Sequence, residues 1–106
     1  MTYEVKLLSL AERDLDEICQ YLSGFYPGTC GRFLDTLEKD FDFMSFNPNM
    51  FPKYEYNNEY RKLVTGNFLV FYKIDEKNKR LNVYRILHEK RNIGSIVREL
   101  NTQEPE

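Results

Sequence analysis

The hydrophobic pattern of this 106-residue chain shifts from mainly helical to mainly strand-like spacing near its middle. Residues 3–8, YEVKLL, alternate loosely and predict a short first strand. Ser9-Leu10-Ala11-Glu12 then reads as a capping box opening a helix. Ala11, Leu15, Ile18 and Leu22 follow at spacings of 4, 3 and 4, one face of an amphipathic helix, with Asp14, Asp16, Glu17 and Gln20 largely on the others. This helix is expected to end near Gly24–Tyr26, where Pro27-Gly28 breaks it. A second helix is predicted over Thr29–Phe46, with Phe33, Leu37, Phe41 and Met44 as its stripe and Leu34 widening it. Asn47-Pro48 stops it. The two helices form an antiparallel hairpin whose stripes belong to a core.

Residues 47–58, NPNMFPKYEYNN, read as a connecting loop. Beyond them the period becomes two. Glu59–Val64 and Phe68–Asp75 predict strands joined through the tight-turn sequence Thr65-Gly66-Asn67, and Arg80–His88 predicts a third after the polar loop Glu76–Lys79. Ile93–Leu100 suits a short closing helix and NTQEPE a frayed tail. The expected plan is β-α-α-β-β-β, an α+β fold with the helical hairpin on one face of an antiparallel sheet. Residues 1–100 form one domain and 101–106 a disordered tail. The second sheet face is expected to stay wet. Alternation sets Tyr84, Ile86 and His88 on one side of the last strand and Val83, Arg85 and Leu87 on the other. An arginine there needs the open face or a partner.

Composition narrows the class. Hydrophobic residues make up 42% and charged residues 30%, ordinary for a globular protein, and no run approaches the roughly 18 apolar residues of a membrane span. MTYEVKLLSL lacks the basic start and long apolar stretch of a signal peptide, which points to the cytoplasm. Cys19 and Cys30 match no zinc or redox spacing and are expected to be reduced, partly buried small hydrophobes. No metal or cofactor is expected. Charge is uneven: residues 1–58 carry five Lys/Arg against ten Asp/Glu, and residues 59–106 carry ten against seven. Lys79, Arg80, Arg85, Lys90 and Arg91 crowd into 79–91, a segment suited to an anionic partner.

Tyr60 to Asn92, YRKLVTGNFLVFYKIDEKNKRLNVYRILHEKRN, resembles the C-terminal half of the ParE/RelE superfamily, the toxins of bacterial type II toxin–antitoxin modules and plasmid stabilisation systems. A-x-x-D-L-x-x-I at Ala11–Ile18 and the helical hairpin fit the same family. The resemblance implies a helical hairpin packed on an antiparallel sheet. It also implies a cognate antitoxin as partner, and one of two targets. RelE-like members cleave mRNA on the ribosome with basic side chains on the open sheet face. Such chemistry needs a proton acceptor for the 2′-hydroxyl, cations on the phosphate and an acid for the leaving oxygen. ParE-like members inhibit DNA gyrase and arrest replication and growth.

Where nucleases of the family carry an arginine after Gly-Tyr, this chain has Phe68, and Leu63 stands where a second lysine is expected. IGSIVREL lacks the tyrosine that several nucleases place there. The resemblance therefore implies a ParE-like gyrase inhibitor that acts by binding, with no catalytic residues. Its expected functional surface is Arg61, Lys62, Arg85, His88, Lys90 and Arg91. The alternative is a ribosome-dependent mRNA endonuclease using Arg61, Arg85 and His88. His88 is the one side chain of that set that titrates near neutrality without help. A further alternative is an inactive member that only binds its antitoxin.

Overall fold

The computed structural model describes residues 2–102. Its order is β1 (Glu4–Leu7), α1 (Ser9–Ser23), α2 (Thr29–Phe46), β2 (Lys53–Tyr54), β3 (Asn57–Thr65), β4 (Phe68–Asp75), β5 (Arg80–His88) and α3 (Ile93–Asn101). The fold is α+β, as the period change predicts. Asn101 ends α3 and Thr102 caps it, and the remainder of the expected tail lies outside the described residues.

The strands form one sheet in the order β1-β5-β4-β3-β2. β3, β4 and β5 make the expected antiparallel meander, but β1 joins its edge parallel to β5, so the sheet is mixed. Leu8 continues this pairing by donating its N–H to Val83 O at 3.0 Å. That bond keeps Leu8 extended and makes it the N-cap of α1, with no side-chain capping bond. The helix therefore starts one residue earlier than a capping box on Ser9 and Glu12 requires. β2 was hidden in the segment read as a loop; Lys53 and Tyr54 pair with Arg61 and Asn57 across an irregular register.

Both sheet faces are covered. Ala11 and Ile18 of α1 and Leu37 and Met44 of α2 pack on Leu63, Val70, Tyr72, Leu81, Val83 and Ile86. Leu34, expected to widen the stripe, is 39% exposed. The face expected to stay wet is partly closed by α3, whose Ile96 and Leu100, one helical turn apart, bury against Tyr54, Tyr60, Leu69, Phe71 and Leu87. Asn92 caps this helix by accepting from Ser95 N at 3.2 Å.

Regular alternation in β5 fails at Tyr84. Val83 pairs with Tyr72 and Arg85 with Phe71, which leaves Tyr84 as the extra residue of a bulge. Val83 and Ile86 consequently share the hairpin face, while Tyr84 and Leu87 share the α3 face.

Cys19 and Cys30 are joined in a disulfide with Cα atoms 5.1 Å apart, not reduced as expected. The antiparallel hairpin brings the penultimate turn of α1 beside the first turn of α2, a proximity that spacing along the chain does not reveal.

Candidate functional site

β1 ends opposite Val83, so the rest of β5 lacks a strand neighbour on that side. Asp14 of α1 fills part of the gap. Its Oδ2 accepts the N–H of Ile86 at 3.0 Å, a backbone donor the missing strand would otherwise bond. Arg85, next to the bulge, turns its guanidinium around this edge. Nε meets Asp14 Oδ2 at 2.6 Å and Nη2 meets Oδ1 at 2.8 Å, a two-point pairing. Nη1 donates to Glu99 of α3, and Arg91 reaches the other Glu99 oxygen at 3.3 Å.

Asp14 is 7% and Arg85 9% exposed, so the pair is taken out of water. Bonding to Asp14 raises the Arg85 pKa above its usual value against the opposing effect of burial. The Arg85 bond holds the Glu99 carboxyl below the ordinary range. Arg85 thus has the partner its strand position demanded, and its charge is spent on linking α1 to α3. Asp14 was assigned to the polar side of α1, yet it stands three residues after Ala11 and four before Ile18, on the stripe itself. That spacing was the signal available for it.

Arg61 lies elsewhere, on β3, with β4 between it and β5. Its Nη1 donates to Phe51 O at 2.7 Å and more weakly to Asn49 O at 3.4 Å, pinning the segment between α2 and β2. Lys62 sits over the Tyr54 ring, 5.7 Å from its centroid. Lys73 on the same face lies over Tyr60 and Tyr84 at 4.6 and 5.0 Å. Arg61, Arg85 and His88 do not converge on one point. Phe68 and Leu63 are 7% and 2% exposed and belong to the hairpin-side core.

His88, at the end of β5, packs edge to face on Phe68 with centroids 5.2 Å apart. Its Nδ1 accepts from Lys90 N at 3.1 Å, which leaves Nε2 to carry the proton in the neutral ring. The ring lines a cleft of about 210 Å³ with Asp14, Glu17, Ile18 and Tyr21 of α1, Phe68, Ile86, Leu87 and Arg91. Lys90 and Arg91 are exposed in the turn that leaves β5. The cleft thus has an apolar floor with carboxylates toward α1 and cations toward the exit turn, a geometry suited to a partner side chain. Glu17 and Tyr21 were absent from the expected surface because only folding brings α1 against the end of β5. Among the described residues, no group of three His, Cys, Asp or Glu could hold a metal ion, and no helix is long and apolar enough to cross a membrane.

Residues 5–93 match the family of the ParE toxin of type II toxin–antitoxin system, parDE. The chain belongs to the ParE toxin family. It is a type II toxin–antitoxin toxin of the ParE/RelE superfamily. Solved structures repeat this fold at low identity. The toxin–antitoxin complex RelBE2 from Mycobacterium tuberculosis shares 20% identity, covering 83% of this chain and 99% of that one, with a TM-score of 0.60. The chromosomal ParDE system from P. aeruginosa shares 16%, covering 82% and 96%, with a TM-score of 0.68. The archaeal RelE–RelB complex from Pyrococcus horikoshii OT3 shares 20%, covering 87% and 100%, with a TM-score of 0.52. None of the curated proteins matches the sequence.

Proposed function

We propose that this ParE-family toxin inhibits DNA gyrase by binding and so arrests replication and growth, without catalysis of its own. The observation that carries this reading is the occupation of the cations that RNA cleavage would need. Arg85 is buried between Asp14 and Glu99, and Arg61 holds the carbonyls of Asn49 and Phe51. A phosphate entering either site would have to displace those partners, at the expense of a buried charge or of the segment before β2. The docking surface comprises His88, Lys90 and Arg91 at the cleft, with Lys62 on the opposite face. The reading sets its action in the cytoplasm, with a cognate antitoxin as the controlling partner and acidic side chains of that partner against the cationic exit turn.

Gyrase supercoiling assays with the purified chain test this. Loss of supercoiling at stoichiometric toxin, relieved by Lys90→Glu/Arg91→Glu, is expected; unchanged supercoiling at excess toxin overturns it.

A second reading, a ribosome-dependent mRNA endonuclease, draws on Lys62 and Lys73, half-exposed cations on the α3 face suited to a phosphate backbone. New mRNA ends in toeprinting on translating ribosomes would favour it over gyrase inhibition. Induction that leaves growth untouched would leave only antitoxin binding.

A further inference from the structure

The corner between α1 and α2 concentrates aromatic surface that neither core uses. Tyr21 is 61%, Phe25 57% and Tyr26 73% exposed, and the Tyr21 and Phe25 rings meet edge to face at 5.0 Å. Tyr21 also forms a wall of the His88 cleft. The backbone bonds at this corner are local: Gly24 N to Tyr21 O, Phe25 N to Leu22 O and Thr29 N to Tyr26 O. Gly28 makes the turn with φ of 84°. The link spanning the whole corner is the Cys19–Cys30 disulfide, eleven residues apart in sequence. Both cysteines are half-buried, so a reductant can approach without global unfolding.

We propose that Cys19–Cys30 is a reversible redox site that sets the order of the aromatic corner and of the adjoining wall of the cleft. The co-reactant is a dithiol. One of its thiolates attacks a cysteine sulfur, forming a mixed disulfide as the Cys19–Cys30 bond breaks, and the released cysteine takes up a proton. The second thiolate then attacks the mixed disulfide, freeing the other cysteine as a thiol and closing the reductant's own disulfide. Two electrons and two protons pass from reductant to protein. The response is local. Ala11, Ile18, Leu37 and Met44 still seat both helices on the sheet, and Leu22 still packs on the core, whereas residues 23–30 lose the covalent tie that spans their corner.

The test compares the full chain, oxidised and after dithiothreitol, by alkylation mass spectrometry and segment-resolved hydrogen exchange. Two alkyl groups should add only after reduction. Amides of residues 23–30 should then exchange roughly tenfold faster or more, with β4 and β5 unchanged. The double variant Cys19→Ser/Cys30→Ser should match the reduced protein and ignore dithiothreitol; if it does not fold, the two states of the wild-type chain decide. Alkylation of both cysteines in the oxidised preparation overturns the proposal. So does unchanged exchange at the corner, or loss of protection throughout β4 and β5, which would make the bridge a global staple.

Discussion

The two faces of one sheet are closed by very different covers. On one side, two helices totalling more than thirty residues lay down Ala11, Ile18, Leu37 and Met44. On the other, nine-residue α3 supplies Ile96 and Leu100, with Val97 at the margin. Each cover is also tied down by a tyrosine from the sheet. Tyr72 donates to Pro48 O, just past α2, at 2.8 Å, and Tyr60 donates to Leu100 O of α3 at 3.1 Å. The difference lies in apolar area, since the polar ties are alike, and area sets how much free energy is lost when a cover lifts. The hairpin is expected to leave the sheet only on global unfolding, whereas α3 can open alone. Arg85 joins the two covers around the edge of β5.

The largest effect is therefore expected at that joint. Arg85→Met strands the Asp14 carboxylate in a buried site and leaves Glu99 without its Arg85 partner. It should destabilise the fold by about 3–5 kcal/mol, read from urea unfolding followed by tyrosine fluorescence. Asp14→Leu in the Arg85→Met background should recover much of that loss, because no unpaired charge remains. Failure of the second substitution to recover stability would mean that the Asp14 bond to Ile86 N, not charge pairing, dominates the site.

Next come the cores. Met44→Ala should cost about 2–5 kcal/mol of global stability, as for other truncations in a closed core. Ile96→Ala should cost the sheet less and should instead raise hydrogen exchange in α3 while β4 keeps its protection. Equal losses in global unfolding would show that both faces form one cooperative unit and would end the distinction.

The same contrast explains what could be read in advance. α2, β4 and β5 appear with the predicted boundaries because each is a long apolar-rich run closed by polar or turn-forming residues, Asn47-Pro48 after α2, Gly66-Asn67 before β4 and Glu76–Lys79 between β4 and β5. Phe68 and Leu63, apolar positions in strands of period two, sit in the core as apolar strand residues do. Features that depend on three-dimensional meeting were not legible. The parallel pairing of β1 with β5 links segments some seventy-five residues apart. The bulge at Tyr84 breaks alternation without a glycine to mark it. Arg85 was singled out by its strand position, but its partners come from α1 and α3, at sequence separations of 71 and 14. The disulfide and the cleft wall at Tyr21 likewise exist only once the hairpin closes.

Smaller effects separate the ties themselves. Tyr72→Phe and Tyr60→Phe each leave a carbonyl without its hydroxyl donor and should cost about 1 kcal/mol. The first should loosen the segment after α2 and the second the end of α3. Burial pushes both hydroxyls up to about 12. Because the folded value is raised above the unfolded one, their contribution is complete below the unfolded tyrosine value and fades as pH climbs toward 12. Both faces should weaken together in alkali.

Acid should loosen the α3 cover, and this effect is the smallest of the set. The Glu99 carboxyl is held below the ordinary glutamate range, first by the Arg85 hydrogen bond and then by the charges of Arg85 and Arg91. A depressed carboxylate contributes fully above its unfolded value and loses that contribution as pH falls through the folded one. Its side chain is 33% exposed, so water screens the pair and the expected change is below about 1 kcal/mol. Glu99→Gln should mimic the acid state at neutral pH, speeding α3 exchange while leaving the hairpin amides as they were. It should also flatten the acid limb of α3 exchange below pH 4.5. An acid limb that survives this substitution would show that the bond from Arg85 to Glu99 is not what holds α3 against acid.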